Sequence, residues 1–534
     1  MKGFIAMNKI LKLKTPTYLD ALIQKINSQN ISDEYVFEYG KSALDELTAY
    51  VELENEGVAK NLQKRLPAQL PSLDCAVLLA RLYEFRKVHM SDNSKDTLLS
   101  VYDSDTGLYR SDKEYLEQLV KLVSPNKTMR QCEEVVSDIK TLVPVAHRTN
   151  AKHLIAVENG IFNKETKKLE SFKPKYIFFS KLAIKYNEAR ALPQIQSNDG
   201  FHWNVEEWLT ELANNDNEVL KLFWQVISDA IQGNFSRGKA IFFFSQSGNN
   251  GKGTIGQLIK NILGNGNYSS LSIDDFRQPF LKAQLVNVIA NISDENSVDQ
   301  YIDSVRDFKA SITGDDIIIN GKFEKPYPFQ FQGANIQMLN GLPKTRDKSE
   351  SFYRRIILVP FLKSFQNNGE RKEIKNDYIA RKDVLEYVLK KALLLDFDEY
   401  IVPEVSLKLM DQYKEINNSV LEFWKEIKTE LAWDFVPRNF LYDLYKSWFY
   451  QSTPSGRVYS RQRFYEIISG IIENDKQWTL SEYPITVQKR MDADEPLITT
   501  YRLENWYDQS YSGNSLKRAR AFERADRYRG IWKV

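Results

Sequence analysis

The sequence predicts a multidomain α/β protein, and three observations carry that prediction. A chain of 534 residues is too long for a single core at roughly 150 residues per domain. Between Ala240 and Leu263 an apolar run, a glycine- and asparagine-rich loop and apolar residues at helical spacing follow one another, the order strand, turn, helix of a parallel sheet. Beyond Phe435, two amphipathic stretches and two strand-like pieces follow in the order helix, turn, helix and two-stranded wing. The expected order is a helical N-terminal domain over 1–145, a small β-rich module over 146–200, a central nucleotide-type α/β domain over 201–365, a helical lid or linker over 366–430, and a winged-helix domain with a basic tail over 431–534.

Composition excludes several classes. Hydrophobic residues at 42% and charged residues at 27% are those of an ordinary globular chain. No apolar run reaches the ~20 residues that span a bilayer, so no membrane partner is expected. The opening MKGFIAMNKILKLKTP breaks its apolar pattern too often for a secretory signal. Cys75 and Cys132 stand far apart without neighbouring ligands, which argues against a disulfide framework or zinc site and for a reducing cytoplasm. A net charge of +2 confines any nucleic-acid contact to local patches.

Taken in order, residues 1 to about 95 read as helical, through Leu19, Leu22, Ile23 and Ile26, then Leu78, Leu79, Leu82 and Phe85. Asp103 and Asp105 in VYDSDTGLY are read as a turn ending at Gly107 rather than as metal ligands, which weighs against primer synthesis by this chain. Leu116–Leu142 is again helical. His147 and His153 are read as structural. The segment 153–192 alternates short apolar runs with turn signals, as a β-rich module does, and Trp203 to Ile231 reads as helices leading into the next strand.

After the run Ile241–Phe244 comes QSGNNGKGT. A polyphosphate needs inward-facing N–H groups, a helix N-terminus and a cation. Gly248, Asn249, Asn250, Gly251 and Gly253 supply the loop, Lys252 the charge, and Thr254 the hydroxyl on the magnesium side, so the expected ligands are ATP and Mg2+. The match to GxxxxGK[ST] is incomplete: Gln246 stands at the first glycine and Gly253 directly follows the lysine.

Downstream, LVNVIANISDENS carries the β-prone residues Leu285, Val286, Val288, Ile289 and Ile292 up to Asp294 and Glu295. Hydrolysis needs one carboxylate on the metal, assigned to Asp294, and one that orients water, assigned to Glu295. Next, ITGDDIIINGKFEKPYPFQF sets Asn320-Gly321 between apolar runs, a hairpin signal, with Lys322 and Lys325 near its tip as DNA-binding candidates. FQFQGANIQMLNGLP then reads as a strand ending at Asn340, and RDKSESFYRRIILVPF puts Arg354 and Arg355 just before another strand. Arginine can stabilise charge developing on a γ-phosphate; Lys344 and Arg346 are secondary options.

In the C-terminal region Ser460 can cap a helix that opens with Arg461 and Arg463, two residues placed to reach a DNA groove. PITVQKR and LITTYRL read as the two wing strands around the acidic turn DADEP. The tail SLKRARAFERADRYRGIWKV, with Arg518 and Arg520 among its cations, reads as a nucleic-acid contact or as a packing helix with a basic face.

NGIFNKETKKL, the tryptophan-rich helices, QSGNNGKGT, ANISDEN, ITGDD, MLNGLP and FYRRIILVPF occur in an order that resembles the superfamily III helicases of phages, plasmids and pathogenicity islands. Their relatives are the poxvirus-like, primase-associated ATPases, and the nearest likeness is to staphylococcal pathogenicity-island replication initiators. The resemblance covers about 150–362. It implies an AAA+ type P-loop ATPase core over 201–365 and a sensor role for Asn340. It further implies that one of Arg354 and Arg355 reaches a neighbouring subunit's nucleotide in a hexamer, and that the hairpin projects into a ring channel around single-stranded DNA. The expected function is an ATP-driven DNA helicase and replication initiator, its winged helix on the double-stranded origin and a primase or host replication proteins as further partners. The departures at Gln246 and Gly253 keep open a passive origin binder with a degenerate nucleotide site; an ATP-gated protein-remodelling switch is the other alternative.

Overall fold

The computed structural model describes residues 16–24, 26, 32–92, 96–245, 248–294, 305–321, 325–343, 345, 350–365, 371–452, 458–486, 493–507, 512–513 and 527–534. The chain is a mixed α/β protein with two compact units. The first comprises Met1–Asn296, Arg306–Asn340 and Val359–Val402; the second comprises Ser297–Val305, Gly341–Leu358 and Pro403–Val534.

The first unit begins with helices α1 (Asp33–Asn55) and α2 (Ser72–Leu82), strands β1 (Phe85–His89), β2 (Thr97–Asp103) and β3 (Leu108–Arg110), helices α3 (Lys113–Val123) and α4 (Met129–Leu142), and strand β4 (Val145–His147). Side chains fix the helix starts: Ser32 accepts from the Tyr35 N–H, Asp112 from Tyr115, and Thr128 forms a capping box with Gln131. The stretch expected to be helical throughout thus contains a sheet, ordered β3-β2-β1-β4. Helical periodicity stops at Leu82 because Tyr83 turns extended (φ −121°, ψ 152°). The next residues bury Phe85 and Val88 along a strand paired with β2. The Asp103 carboxylate accepts from the Asp105 N–H (3.0 Å) and the Thr106 hydroxyl (2.9 Å) in a turn that ends at Gly107.

Strands β5 (Leu154–Val157), β6 (Gly160–Asn163) and β7 (Lys168–Glu170) form a three-stranded antiparallel module. The short pair β8 (Ile195–Gln196) and β9 (His202–Trp203) leads to helices α5 (Val205–Leu212) and α6 (Asn217–Ala230). Then come β10 (Ala240–Phe244), α7 (Lys252–Leu263), β11 (Tyr268–Ser269), β12 (Ala290–Ser293), α8 (Arg306–Thr313), the hairpin strands β13 (Asp316–Ile319) and β14 (Tyr327–Gln330), β15 (Asn335–Leu339), β16 (Ile356–Pro360) and α9 (Lys382–Leu394). The five-stranded sheet runs β11-β12-β15-β10-β16, with parallel pairing through β11, β12, β15 and β10. Every residue of β10 and β15 is buried, as expected of a sheet covered on both faces. The strand expected from Leu285 begins only at Ala290. A 3-10 turn covers Leu281–Leu285, and Asn287 takes a left-handed conformation (φ 62°) that interrupts the run.

A buried polar network crosses this sheet. Asn291 on β12 stands opposite Asn335 on β15 and donates to its amide oxygen (3.0 Å). Asn291 also exchanges hydrogen bonds with the Leu271 backbone (2.8 and 2.9 Å), and Asn335 donates to the Ser311 hydroxyl (3.1 Å). Gln337 donates to Asn335 (2.8 Å) and to the Leu271 carbonyl (3.1 Å). Apart from Gln337 Oε1, which is buried without a partner, these amides are tolerable because their partners are supplied in this way.

The second unit holds α10 (Glu404–Ile416), α11 (Ser419–Ile427), β17 (Phe435–Pro437), α12 (Arg438–Ser452), α13 (Arg461–Glu473), β18 (Trp478–Leu480), β19 (Ile485–Thr486), α14 (Pro496–Thr500), β20 (Arg527–Tyr528) and β21 (Gly530–Lys533). The stretch 366–430, expected to be one lid or linker, divides between the units, and α11 packs with α12 and α13. An antiparallel sheet ordered β17-β21-β18 completes this core around Trp424, Phe464, Trp478 and Ile531. Two expectations are corrected here. LITTYRL is not a wing strand: Pro496 sits at the helix start and the Glu495 carboxylate caps the Leu497 N–H, so Pro496–Thr500 is helical. The described end of the tail is a strand, not a packing helix, with Ile531 buried and the Trp532 ring 4.9 Å from Phe435.

Candidate functional site

In a parallel sheet the carboxyl ends of the strands lie along one edge, and in open α/β folds ligands bind there. Lys252 follows β10 by way of the loop, Asp294 follows β12 directly, and Asn340 follows β15 directly. The register Ile241↔Ile336 and Ile292↔Ile336 aligns the three strands, so the three residues share that edge.

The loop is built for close backbone approach. Asn249 (φ 51°) and Gly251 (φ 81°) take left-handed conformations, and the Asn250 side chain accepts from the Lys252 N–H (3.1 Å). A Cβ at Gly251 would lie 2.4 Å from Leu212 Cδ2, whereas one at Gly248 or Gly253 would meet nothing within 4 Å. The demand for glycine is therefore strongest at Gly251. The N-cap residue of α7, Gly251, has no side chain to cap it; the helix starts at Lys252, and Thr254 lies in its first turn. An uncapped helix N-terminus behind a glycine turn suits a polyphosphate.

Lys252 is buried, and its ammonium donates to the Leu339 carbonyl (2.6 Å) and to Asn340 Oδ1 (2.6 Å). Burial pushes its pKa down to about 8. Asp294 is half-exposed, and its carboxylate pairs with Lys260 on α7 at 2.6 Å. Sequence reasoning missed Lys260, although its place two turns after Lys252 puts it on the same helix flank.

Among the other candidates, Lys325 is exposed two residues before β14, in a hairpin whose register is Asp316↔Gln330 to Ile319↔Tyr327. Arg354 and Arg355 belong to the second unit; the Arg355 guanidinium donates to the Ser351 carbonyl, leaving its buried Nε without a partner. Arg463 follows the Ser460 cap (3.3 Å) and pairs with Glu466 (2.9 Å), while Arg461 lies 5.5 Å from the Tyr442 ring centre. Arg461 also lines a groove of about 520 Å3 with Lys446 and Arg502, two cations that sequence reasoning passed over. Reading LITTYRL as a strand hid Arg502. Gln246, Glu295, Lys322, Lys344, Arg346, Arg518 and Arg520 lie outside the described residues.

With this geometry in view, the chain divides into recognisable segments. Residues 72–222 match the family described as D5 N terminal like, 243–355 match a family of unknown function (DUF5906), and 415–495 match the family described as Poxvirus D5 protein-like. D5-type segments thus lie on both sides of the segment that holds the phosphate-type loop. Over those two segments the chain is similar to D5-like proteins. No curated protein matches it. A solved structure titled the A form apo structure of NrS-1 C terminal region-CTR is similar at 14% identity and TM-score 0.39, over 75% of this chain and 87% of that one. A second, of NrS-1 residues 305–718 in the A form, is 15% identical with TM-score 0.43 over 87% and 100% of the two chains. An apo structure of the same region is 13% identical with TM-score 0.39 over the same shares. Among the described residues no helix is long and apolar enough to cross a membrane.

Proposed function

We propose that this chain is an ATP-dependent DNA helicase that initiates replication of a mobile genetic element. The D5-like segments on both sides of the loop support a replication-related, DNA-acting role; the ring, the motor and the origin contact belong to this reading. The observation that carries it is the meeting of Lys252 with Asn340 at the ends of adjacent parallel strands. A cation on the loop and a polar residue beside it are the pair an AAA+ type P-loop site needs, one for the phosphates and one for the attacking water.

The residues present fit ATP and Mg2+. The uncapped α7 terminus and Lys252 would hold the phosphates, and Thr254 with Asp294 would complete the metal's oxygen shell. ATP supplies the phosphoryl chemistry when bound. For its part the chain must release the Lys252 ammonium from Leu339 and Asn340 toward the phosphates, which frees Asn340 for water, with Glu295 as the candidate base. One of Arg354 and Arg355 acts across a subunit interface of a hexamer. The hairpin with Lys322 and Lys325 grips single-stranded DNA in the channel. The helices α12 and α13 with the antiparallel sheet form a winged helix that meets the origin through Arg461 and Arg463, with Arg518 and Arg520 adding phosphate contacts.

The Lys260–Asp294 pair favours a second reading, a passive origin binder, because it occupies the carboxylate assigned to the metal. ATP hydrolysis by wild type and Lys252→Met, with and without single-stranded DNA, together with strand displacement on a forked duplex, separates the two. DNA-stimulated turnover and displacement that vanish in Lys252→Met support the helicase. No turnover in wild type, with duplex DNA still bound, supports the passive binder, and turnover indifferent to DNA points to a remodelling switch.

A further inference from the structure

Away from the phosphate-type loop, the first unit holds a partly open cavity of about 70 Å3 that shares none of that loop's residues. Its walls come from the end of β1 (His89, Ser91), from Arg148 and Thr149 just past β4, from Phe179 and from Phe329 on hairpin strand β14. The Arg148 guanidinium lies 5.2 Å from the Phe179 ring centre and 5.6 Å from that of Phe329. Among the described residues it makes no ion pair with a carboxylate. Asp92, which also lines the cavity, faces His147 (3.5 Å), and Asp316 is taken by the Ser91 hydroxyl (2.6 Å).

Arg148 is half-buried, and withdrawing an ion from water without a pairing partner is costly; stacking on aromatic faces recovers only a fraction of that cost. Two further groups are poised as donors. Nδ1 of His89 is buried without a hydrogen bond, and its ring stacks on His147 with centres 4.8 Å apart. The Thr149 oxygen accepts from the Ile177 N–H (2.7 Å), which leaves its own O–H to donate. The cavity has room for several waters, enough for one tetrahedral oxyanion.

We propose that this cavity is a phosphate-binding site in which Arg148 carries the charge and His89 and Thr149 complete the donor set. The occupant is a phosphate group, either a phosphodiester of nucleic acid or free phosphate. The site adjoins the root of the hairpin, because the Gln330 N–H donates to the Met90 carbonyl (3.3 Å) and ties β14 to the end of β1. A phosphate held there braces the hairpin against the N-terminal sheet.

The test uses the full chain carrying Lys252→Met, so that the nucleotide loop contributes no lysine and failure of the helicase reading leaves the result intact. Inorganic phosphate is titrated by calorimetry and followed by phosphorus NMR. Binding is expected, and adding Arg148→Met should weaken it about 10- to 100-fold, with partial recovery in Arg148→Lys. Absence of binding in the Lys252→Met protein overturns the proposal without recourse to any Arg148 variant. An equal affinity with Arg148→Met overturns it as well. Competition by an oligothymidylate lacking terminal phosphates identifies a phosphodiester as the occupant; unchanged phosphate affinity under saturating oligonucleotide identifies free phosphate.

Discussion

Replacing Lys252 by methionine removes a cation that the fold holds in an unfavourable setting. Burial lowers its pKa from the ordinary 10.5 to about 8, worth about 3 kcal/mol at roughly 1.4 kcal/mol per pH unit. Solvent reaching the loop mouth screens this to about 2 kcal/mol. The partners left behind suffer little: the Leu339 carbonyl still accepts from the Ser245 N–H (3.3 Å), and exposed Asn340 can turn to water. At pH 7 the ammonium is charged in both folded and unfolded chains, so Lys252→Met should be more stable than wild type by about 1–2 kcal/mol. Between pH 8 and 10.5 the unfolded chain holds the proton and the folded one does not. Wild-type stability therefore rises with pH across that window relative to the variant, and the advantage of methionine shrinks. Urea denaturation followed by circular dichroism at pH 7 and pH 10 reads both effects, with other titrating groups cancelling in the difference. A variant less stable than wild type at pH 7, or a difference that does not change with pH, would refute the reasoning.

The same protonation predicts that the affinity of wild type for ATP, measured by calorimetry, declines as pH rises above about 8, because the bound triphosphate needs the ammonium charged. Gly251→Ala should lose nucleotide binding and about 1–2 kcal/mol of stability from its left-handed backbone, with the clash against Leu212 added, while Gly253→Ala folds normally; thermal melts and fluorescent-nucleotide titration compare them. Asn340→Ala should keep ATP binding and slow single-turnover hydrolysis about 100-fold; an unchanged rate removes Asn340 from the water-positioning role. Deleting residues 530–534 removes the central strand of the β17-β21-β18 sheet with its buried Ile531, so the second unit should lose its cooperative thermal transition while the first keeps its own.

Local chemistry decided what was legible in the sequence. Strand β10, the loop and α7 were readable because apolar periodicity changes from continuous to helical across a glycine cluster. The hairpin was readable because Asn320-Gly321 separates two apolar runs. By contrast, β1 hid behind α2, whose apolar spacing runs on in the sequence through Phe85, although Tyr83 leaves the helix. Strand β21 hid in a basic tail, since its burial comes from partners distant in sequence, Val436 and Leu480. The β-branched run Ile498-Thr499-Thr500 argued for a strand, yet Glu495-Pro496 is a helix-start signal that was present and outweighed. At the candidate site the sequence supplied the residues in order. That Lys252 touches Asn340, and that Lys260 engages Asp294, depends on strand register and helix phase, which order alone does not give.

The amides beneath the sheet constrain how this edge can vary over evolutionary time. Asn291 and Asn335 sit three and five residues before Asp294 and Asn340, and their mutual hydrogen bond holds only when the two strands are in step. A one-residue slip would strand those amides among apolar side chains and turn alternate residues to the wrong face. Replacing either amide orphans the other at about 1–3 kcal/mol, and replacing both also orphans the Leu271 backbone groups, the Ser311 hydroxyl and the Gln337 amide that they serve. Lineages of this protein can therefore cross from amide to apolar only by changing the whole network together, and the spacing of Asp294 and Asn340 along the sheet edge is inherited through residues buried within the sheet.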